Sequence, residues 1–243
     1  MKLPFANLRR VALMALLAAM PYWVLAQKVA VSGNVQVMKE DEAGTPAEPS
    51  NVVVWLTPLS GGNQPFPRSG RQDFTLHQRN KTFSPHLLVV PVGTEVKFPN
   101  HDPVFHNVFS LFEGKRFDLG LYEAGSSRTT RFDRPGVSYI FCNIHPEMGA
   151  VVIALRTPYY AISDRNGKLS IPNAPAGRYM LHVWHEAAPS ETLNQLGREL
   201  TISSEAHSLG TIRMTIPRIQ SIAHKNKYGQ DYPKPPSGLY EQR

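Results

Sequence analysis

The 243-residue chain has a single cysteine, few charges and no sustained apolar stripe at helical spacing. One cysteine cannot close an intramolecular disulfide or build a four-cysteine zinc site, so Cys142 is either a small buried apolar residue or a thiolate with a chemical task. Charged residues make up 19% and hydrophobic ones 42%, a balance too apolar for a solvated, disordered chain. Without a helical stripe, coiled coils and long helical bundles are excluded. His-Glu-x-x-His, Gly-x-Ser-x-Gly and a phosphate-cradling glycine loop are also missing, which argues against an enzyme of the classes those motifs mark. The formal charge is +7, but Lys2, Arg9 and Arg10 carry three of those charges and no basic cluster with interleaved aromatics follows. Nucleic acid is therefore not an expected partner.

Those three basic residues precede an apolar run over residues 11–26, which ends in Val24-Leu25-Ala26 before Gln27. The pattern is that of a cleaved export signal at 1–26. The run is interrupted by Pro21 and is short against the roughly 20 apolar residues of a membrane span. Arg9-Arg10 lacks the rest of the twin-arginine pattern, so the general secretory route, a periplasmic location and a mature charge of +4 are expected.

The remainder reads as short strands separated by turns, with 21 prolines and 17 glycines marking the breaks. Strands are predicted at 29–35, 52–56, 74–76, 87–90, 96–98, 108–111, 128–132, 137–141, 151–155, 169–171, 179–184 and 212–216. Many short strands at near-even spacing predict an all-β chain built of sandwiches.

The chemistry concentrates in Phe141-Cys142-Asn143-Ile144-His145-Pro146-Glu147-Met148-Gly149, a loop between two predicted strands. Thiol, imidazole and thioether arrive at i, i+3 and i+6. These soft and borderline donors select copper over magnesium or calcium, and zinc has no use for the thioether. A trigonal copper site needs a second histidine. His106, at the end of a separate loop just before a strand, is the best donor. Plain burial of Cys142 is the competing reading, since alternation puts it on the same face as Ile140. A lone free thiol is, however, a liability in an oxidising compartment. His77, His86 and His101 have no sequence partner for a second metal shell. His182 and His185 stand at i and i+3 on a predicted strand and so face opposite ways.

The stretch from Gly70 to Arg156 resembles the cupredoxins, and within them the amicyanin and plastocyanin group. The matching marks are Phe83 to Val96 with Val92-Gly93-Thr94, the segment Pro99 to Val108 carrying His106-Asn107, and Cys142-x-x-His145-Pro146-x-Met148. The resemblance implies a Greek-key β-sandwich and one type 1 copper ion. It implies His106, Cys142, His145 and axial Met148 as ligands, with Asn107 steadying the ligand loops. It also suggests methylamine utilization as a setting. Multicopper oxidases and copper nitrite reductases place histidine directly beside the blue-copper cysteine, whereas here the neighbours are Phe141 and Asn143.

A second resemblance, to the carboxypeptidase regulatory-like or carbohydrate-binding-like sandwich, rests on Tyr160 to Ile171 with Asp164-Arg-Asn-Gly167, and on Pro175-Ala-Gly-Arg-Tyr-Met-Leu-His-Val183. Asp164 to Gly167 reads as a turn rather than a calcium loop, which would need further acidic ligands. Gly33-Asn-Val35 and Val52 to Leu56 match that family's opening strands. The expected organisation is a signal at 1–26, a sandwich split between 27–69 and 157–216, a copper domain inserted at 70–156 and an extended tail at 217–243. Tyr159, Tyr160, Tyr179 and Trp184 are expected in the core rather than stacked on sugar. The expected function is single-electron transfer between redox donor and acceptor proteins. The alternatives are a copper carrier or store, and a carbohydrate-binding module, in contact with carbohydrate or the cell envelope, that carries an accessory copper.

Overall fold

The computed structural model describes residues 28–41, 43–60, 66, 73–111, 114–217 and 225–232. The expected export signal at 1–26 lies outside them. Among the described residues no helix is long and apolar enough to cross a membrane.

Three runs of elements follow in chain order. The first is β1 (Lys28–Lys39), β2 (Pro46–Ala47) and β3 (Val53–Pro58). The second is β4 (His77–Arg79), β5 (Thr82–Ser84), β6 (Leu87–Pro91), β7 (Thr94–Pro99), β8 (His106–Ser110), β9 (Phe117–Tyr122), β10 (Ser127–Phe132), β11 (Gly136–Phe141) and β12 (Gly149–Leu155). The third is β13 (Tyr160–Ile162), β14 (Lys168–Pro175), β15 (Gly177–Trp184), α1 (Ser190–Leu196), β16 (Arg198–Ile202) and β17 (Ser208–Ile216). The described residues are nearly all β, with one short helix, as the turn-punctuated pattern predicts.

Strands of the first and third runs share a sandwich. β1 lies between β14, to which it is antiparallel, and β17, to which it is parallel; β3 lies between β13 and β15, with β16 beyond. Val31, Val35 and Val37 of β1 join Leu56, Ile171, Leu181 and Ile212 in one core. The second run forms another sandwich, in which the sheet β6-β12-β11-β8-β9 packs on the β7–β10 pair and the β4–β5 hairpin. Its core holds Val96, Phe98, Val108, Phe132, Ile140 and Cys142.

A third apolar layer joins the two sandwiches. Val53 and Trp184 meet Leu87, Val89, Val151 and Ile153 there, so β3 and β12 are covered on both faces. That is why 52–56 and 151–155 read as unbroken apolar runs while β17 alternates. Tyr159, Tyr179 and Trp184 are buried, in keeping with the expected core role, whereas Tyr160 is only half-buried and packs at the edge of the joining layer. Asp164 closes its turn by accepting the N–H groups of Asn166 and Lys168, with Gly167 at φ +76°.

The structure also contains elements that the pattern does not predict, namely β2, β4, β5, β9, β13, β16 and α1. α1 buries none of its residues, so it offers no stripe to read. Asp118 and Gly120 interrupt β9, and both residue types are depleted in strands. The strand expected at 74–76 is instead an isolated bridge from Thr75 to Lys97 ahead of β4.

One ion pair spans the junction of the two sandwiches. His86 Nε2 meets Glu186, and His86 Nδ1 lies 3.1 Å from the Gly149 carbonyl. The hydrogen bond to Glu186 outweighs burial and raises the imidazole pKa above its ordinary 6.5. A raised pKa in the folded state stabilises fully below the unfolded value and is lost as pH rises through the folded one. Denaturant stability should therefore fall as pH rises above about 6.5, by on the order of 1 kcal/mol or less for so exposed a pair, and Glu186→Gln should flatten that slope. His182, held low by burial alone, contributes with the opposite sign and should keep its slope in the variant, whereas His185, which burial lowers against the Glu186 charge, should be held lower still once that charge is removed.

Candidate metal centre

His106 opens β8, and Cys142 follows directly on β11. The two strands are antiparallel neighbours, with Phe141 opposite Phe109, and this pairing carries residues far apart in sequence to one end of the sheet. His145 and Met148 lie on the loop into β12. That loop is closed by the Met148 N–H donating to the His145 carbonyl at 3.1 Å and the Cys142 N–H donating to the Met148 carbonyl at 3.2 Å.

Cys142 Sγ lies 3.9 Å from His106 Nδ1 and 3.6 Å from His145 Nδ1, and the two nitrogens are 3.1 Å apart. Three ligands at about 2.0 Å (N) and about 2.3 Å (S) from a late transition metal, in a trigonal plane, would be spaced at about 3.5 Å and about 3.7 Å. The two observed N–S spacings bracket the second value and the N–N spacing is about 0.4 Å short of the first, so a small parting of the two imidazoles would seat such an ion. Among the described residues it is the one such group of three or more His, Cys, Asp or Glu side chains. His106, Cys142 and Met148 are buried, while His145 keeps partial access to solvent. Exposed Val104, Phe105 and Ile144 flank the two histidines in sequence.

Burial pushes the Cys142 thiol up, against hydrogen bonds from the backbone amides of Asn107, Ile144 and His145 that favour the thiolate. Burial and the neighbouring His106 hold the His145 imidazole below its ordinary pKa, which keeps its lone pair available at neutral pH.

Sequence reasoning missed Asp102. Its carboxylate accepts from His106 Nε2 at 2.8 Å and from the backbone N–H groups of Asn80 and Lys81 at 2.6 and 2.8 Å. Burial pushes that carboxyl up, but those amides and His106 together outweigh it and hold it below the usual range. With Nε2–H committed to Asp102, Nδ1 is the lone-pair nitrogen that faces Cys142. The available signal was an aspartate four residues before the histidine, but on a loop that spacing does not imply contact.

Asn107 reaches the loop by two routes. Its amide faces the Cys142 sulfur, and its side chain donates to Asp118 at 2.7 Å. Asp118 also accepts from Lys227 Nζ at 2.8 Å, and the Lys227 N–H donates to the Asn143 side chain at 2.9 Å. The described part of the tail therefore lies against the ligand loop, where the Tyr232 hydroxyl donates to the Cys142 carbonyl at 2.7 Å. Of the other histidines, His182 stacks on Trp55 and His77 meets His101. Glu147 is exposed.

No family model and no curated protein matches the chain. The solved structures it resembles include cupredoxins. A purple cupredoxin from Nitrosopumilus maritimus is 27% identical over 34% of this chain and 100% of that one, with a TM-score of 0.32. A reduced mutant of amicyanin is 19% identical over 41% of this chain and 98% of that one, with a TM-score of 0.33. The copper-containing nitrite reductase of Thermus scotoductus SA-01 is 23% identical, with a TM-score of 0.33; 41% of this chain is covered and only 25% of that one. Each likeness is confined to a minority of the chain, and the donor set above stands on its own geometry.

Proposed function

We propose that the protein is an exported type 1 copper protein that passes single electrons between redox partner proteins and catalyses no reaction of its own. The observation that carries this reading is the convergence of His106 Nδ1, Cys142 Sγ and His145 Nδ1 within 4.8 Å of one another at one end of a rigid sheet. Copper bound there would supply one-electron exchange between its two oxidation states. Met148, buried in the same core as Cys142, would supply its thioether as a weak further donor. The hydrogen-bonded loop would hold the donors in nearly one arrangement for both oxidation states of a bound copper, so that little rearrangement would oppose transfer. Burial of His106 and Cys142 keeps water out, and the partly exposed His145 offers an edge for electrons to enter and leave.

The organisation we propose is a split sandwich, 27–69 with 157–216, into which 70–156 is inserted. The core shared by β1, β3, β14, β15 and β17 supports it. A copper carrier is the competing reading. Protein loaded with one copper should be intensely coloured, bleach on mild reduction and recover on reoxidation with the metal retained. Loss of copper on reduction would favour the carrier.

Asp102 is a positioning residue in this scheme. Its carboxylate strengthens His106 as a donor and so favours the more highly charged oxidation state. Asp102→Asn should raise the reduction potential by on the order of 50 mV, about a tenfold shift in relative affinity for a one-electron couple. It should also move the His106 Nε2–H resonance in metal-free protein. An unchanged potential would reduce Asp102 to a loop anchor.

A further inference from the structure

A second pair of imidazoles meets away from Cys142. His77 Nδ1 and His101 Nε2 lie 2.9 Å apart, with ring centroids at 5.1 Å and planes inclined by 27°. The same spacing at the candidate metal centre, between His106 and His145, is 3.1 Å. His77 begins β4 and His101 follows β7, and the backbone around them is fixed independently of the rings. The His101 N–H donates to the Gln78 carbonyl at 2.9 Å, Gln78 bridges to Asn100, and Asp102 ties the Asn80 and Lys81 amides to the next turn. Both rings are exposed. A hydrogen bond between two exposed imidazoles replaces bonds to water and adds little, so the backbone sets the spacing, and one nitrogen of each ring lies at the contact.

We propose that His77 and His101 form a second metal site, open to solvent and selective for a late divalent transition metal, Cu(II) foremost. Imidazole is a borderline donor that suits Cu, Ni and Zn, and affinity for such ligands peaks at Cu(II). Two protein nitrogens leave the remaining positions to water. That is ordinary for tetragonal Cu(II), whereas structural zinc requires four closed ligands. Without a thiolate this site would be nearly colourless. The inference does not depend on the chemistry of Cys142.

The test titrates the full mature protein, already holding one equivalent of Cu(II), with further Cu(II) under paramagnetic resonance and equilibrium dialysis. A second ion should bind stoichiometrically, with the wide copper hyperfine splitting of a tetragonal nitrogen–oxygen site. His77→Gln and His101→Gln should each abolish it while the first ion's spectrum is unchanged. A second species that survives in both variants, or a wild type that takes up no second ion, would overturn the proposal. If the first equivalent gives no blue species, the reading of Cys142 fails separately, and the difference in ions bound between wild type and the two variants still decides this site.

Discussion

Replacing Cys142 with serine is expected to abolish the intense visible absorption of the copper-loaded protein. The band requires charge transfer from a thiolate, and a hydroxyl is a harder, weaker donor that stays protonated in a buried site. The effect should be all or none, because nothing else in the donor set is a thiol and the protein has no other cysteine. The site's other members should grade the response. His106→Ala opens an equatorial position to water, leaves the Asp102 carboxylate without its imidazole and should convert the spectrum to a tetragonal type. Met148→Leu keeps a similar volume in a fully buried position, so the band should persist while the reduction potential rises. A blue colour that survives in Cys142→Ser, or a wild type that binds copper without colour, would overturn the ligand assignment and leave the carrier reading ahead.

The second large effect concerns architecture. Deleting residues 28–60 removes β1 from between β14 and β17, and β3 from between β13 and β15. The core around Ile171, Leu181 and Ile212 then loses Val31, Val35, Val37, Val52, Val54 and Leu56. At about 1.5–3 kcal/mol for each buried side chain, the loss is on the order of 10 kcal/mol even after discounting for a compact unfolded chain. That is comparable with the whole stability of a domain, about 5–15 kcal/mol, so residues 159–216 should become susceptible to limited proteolysis. A protected fragment over that segment would refute the split sandwich. Gly167→Ala is the milder form of the same test. A Cβ there would lie 2.2 Å from the Val35 carbonyl oxygen, at φ +76°. Because Val35 is in β1 and Gly167 precedes β14, the strain should lower the denaturant midpoint of the sandwich that these strands share.

Much of the candidate site was legible in the sequence because its chemistry is local. Cys142, His145 and Met148 must share one short loop, so their residue types and spacing carry the signal directly. His106 was legible for a related reason, as a donor placed just ahead of an apolar strand. The doubly buried runs at 52–56 and 151–155 were also readable as strands. What burying both faces of β12 accomplishes was not, since its two covers come from different sandwiches.

The sequence by itself determined the all-β class, most of the strands and the donor types of the loop from Cys142 to Met148, because alternation, turn chemistry and ligand softness act over a few residues. Only the tertiary structure decided who meets whom across the chain. It placed Asp102 on His106, His77 beside His101, His86 on Glu186 and the Tyr232 hydroxyl on the Cys142 carbonyl. It also set β1 parallel to β17, at the far end of the chain. Such contacts depend on the path of the backbone through strand pairing and sheet packing. A hydrogen-bonding side chain looks the same in sequence whether its partner is water or a residue a hundred positions away.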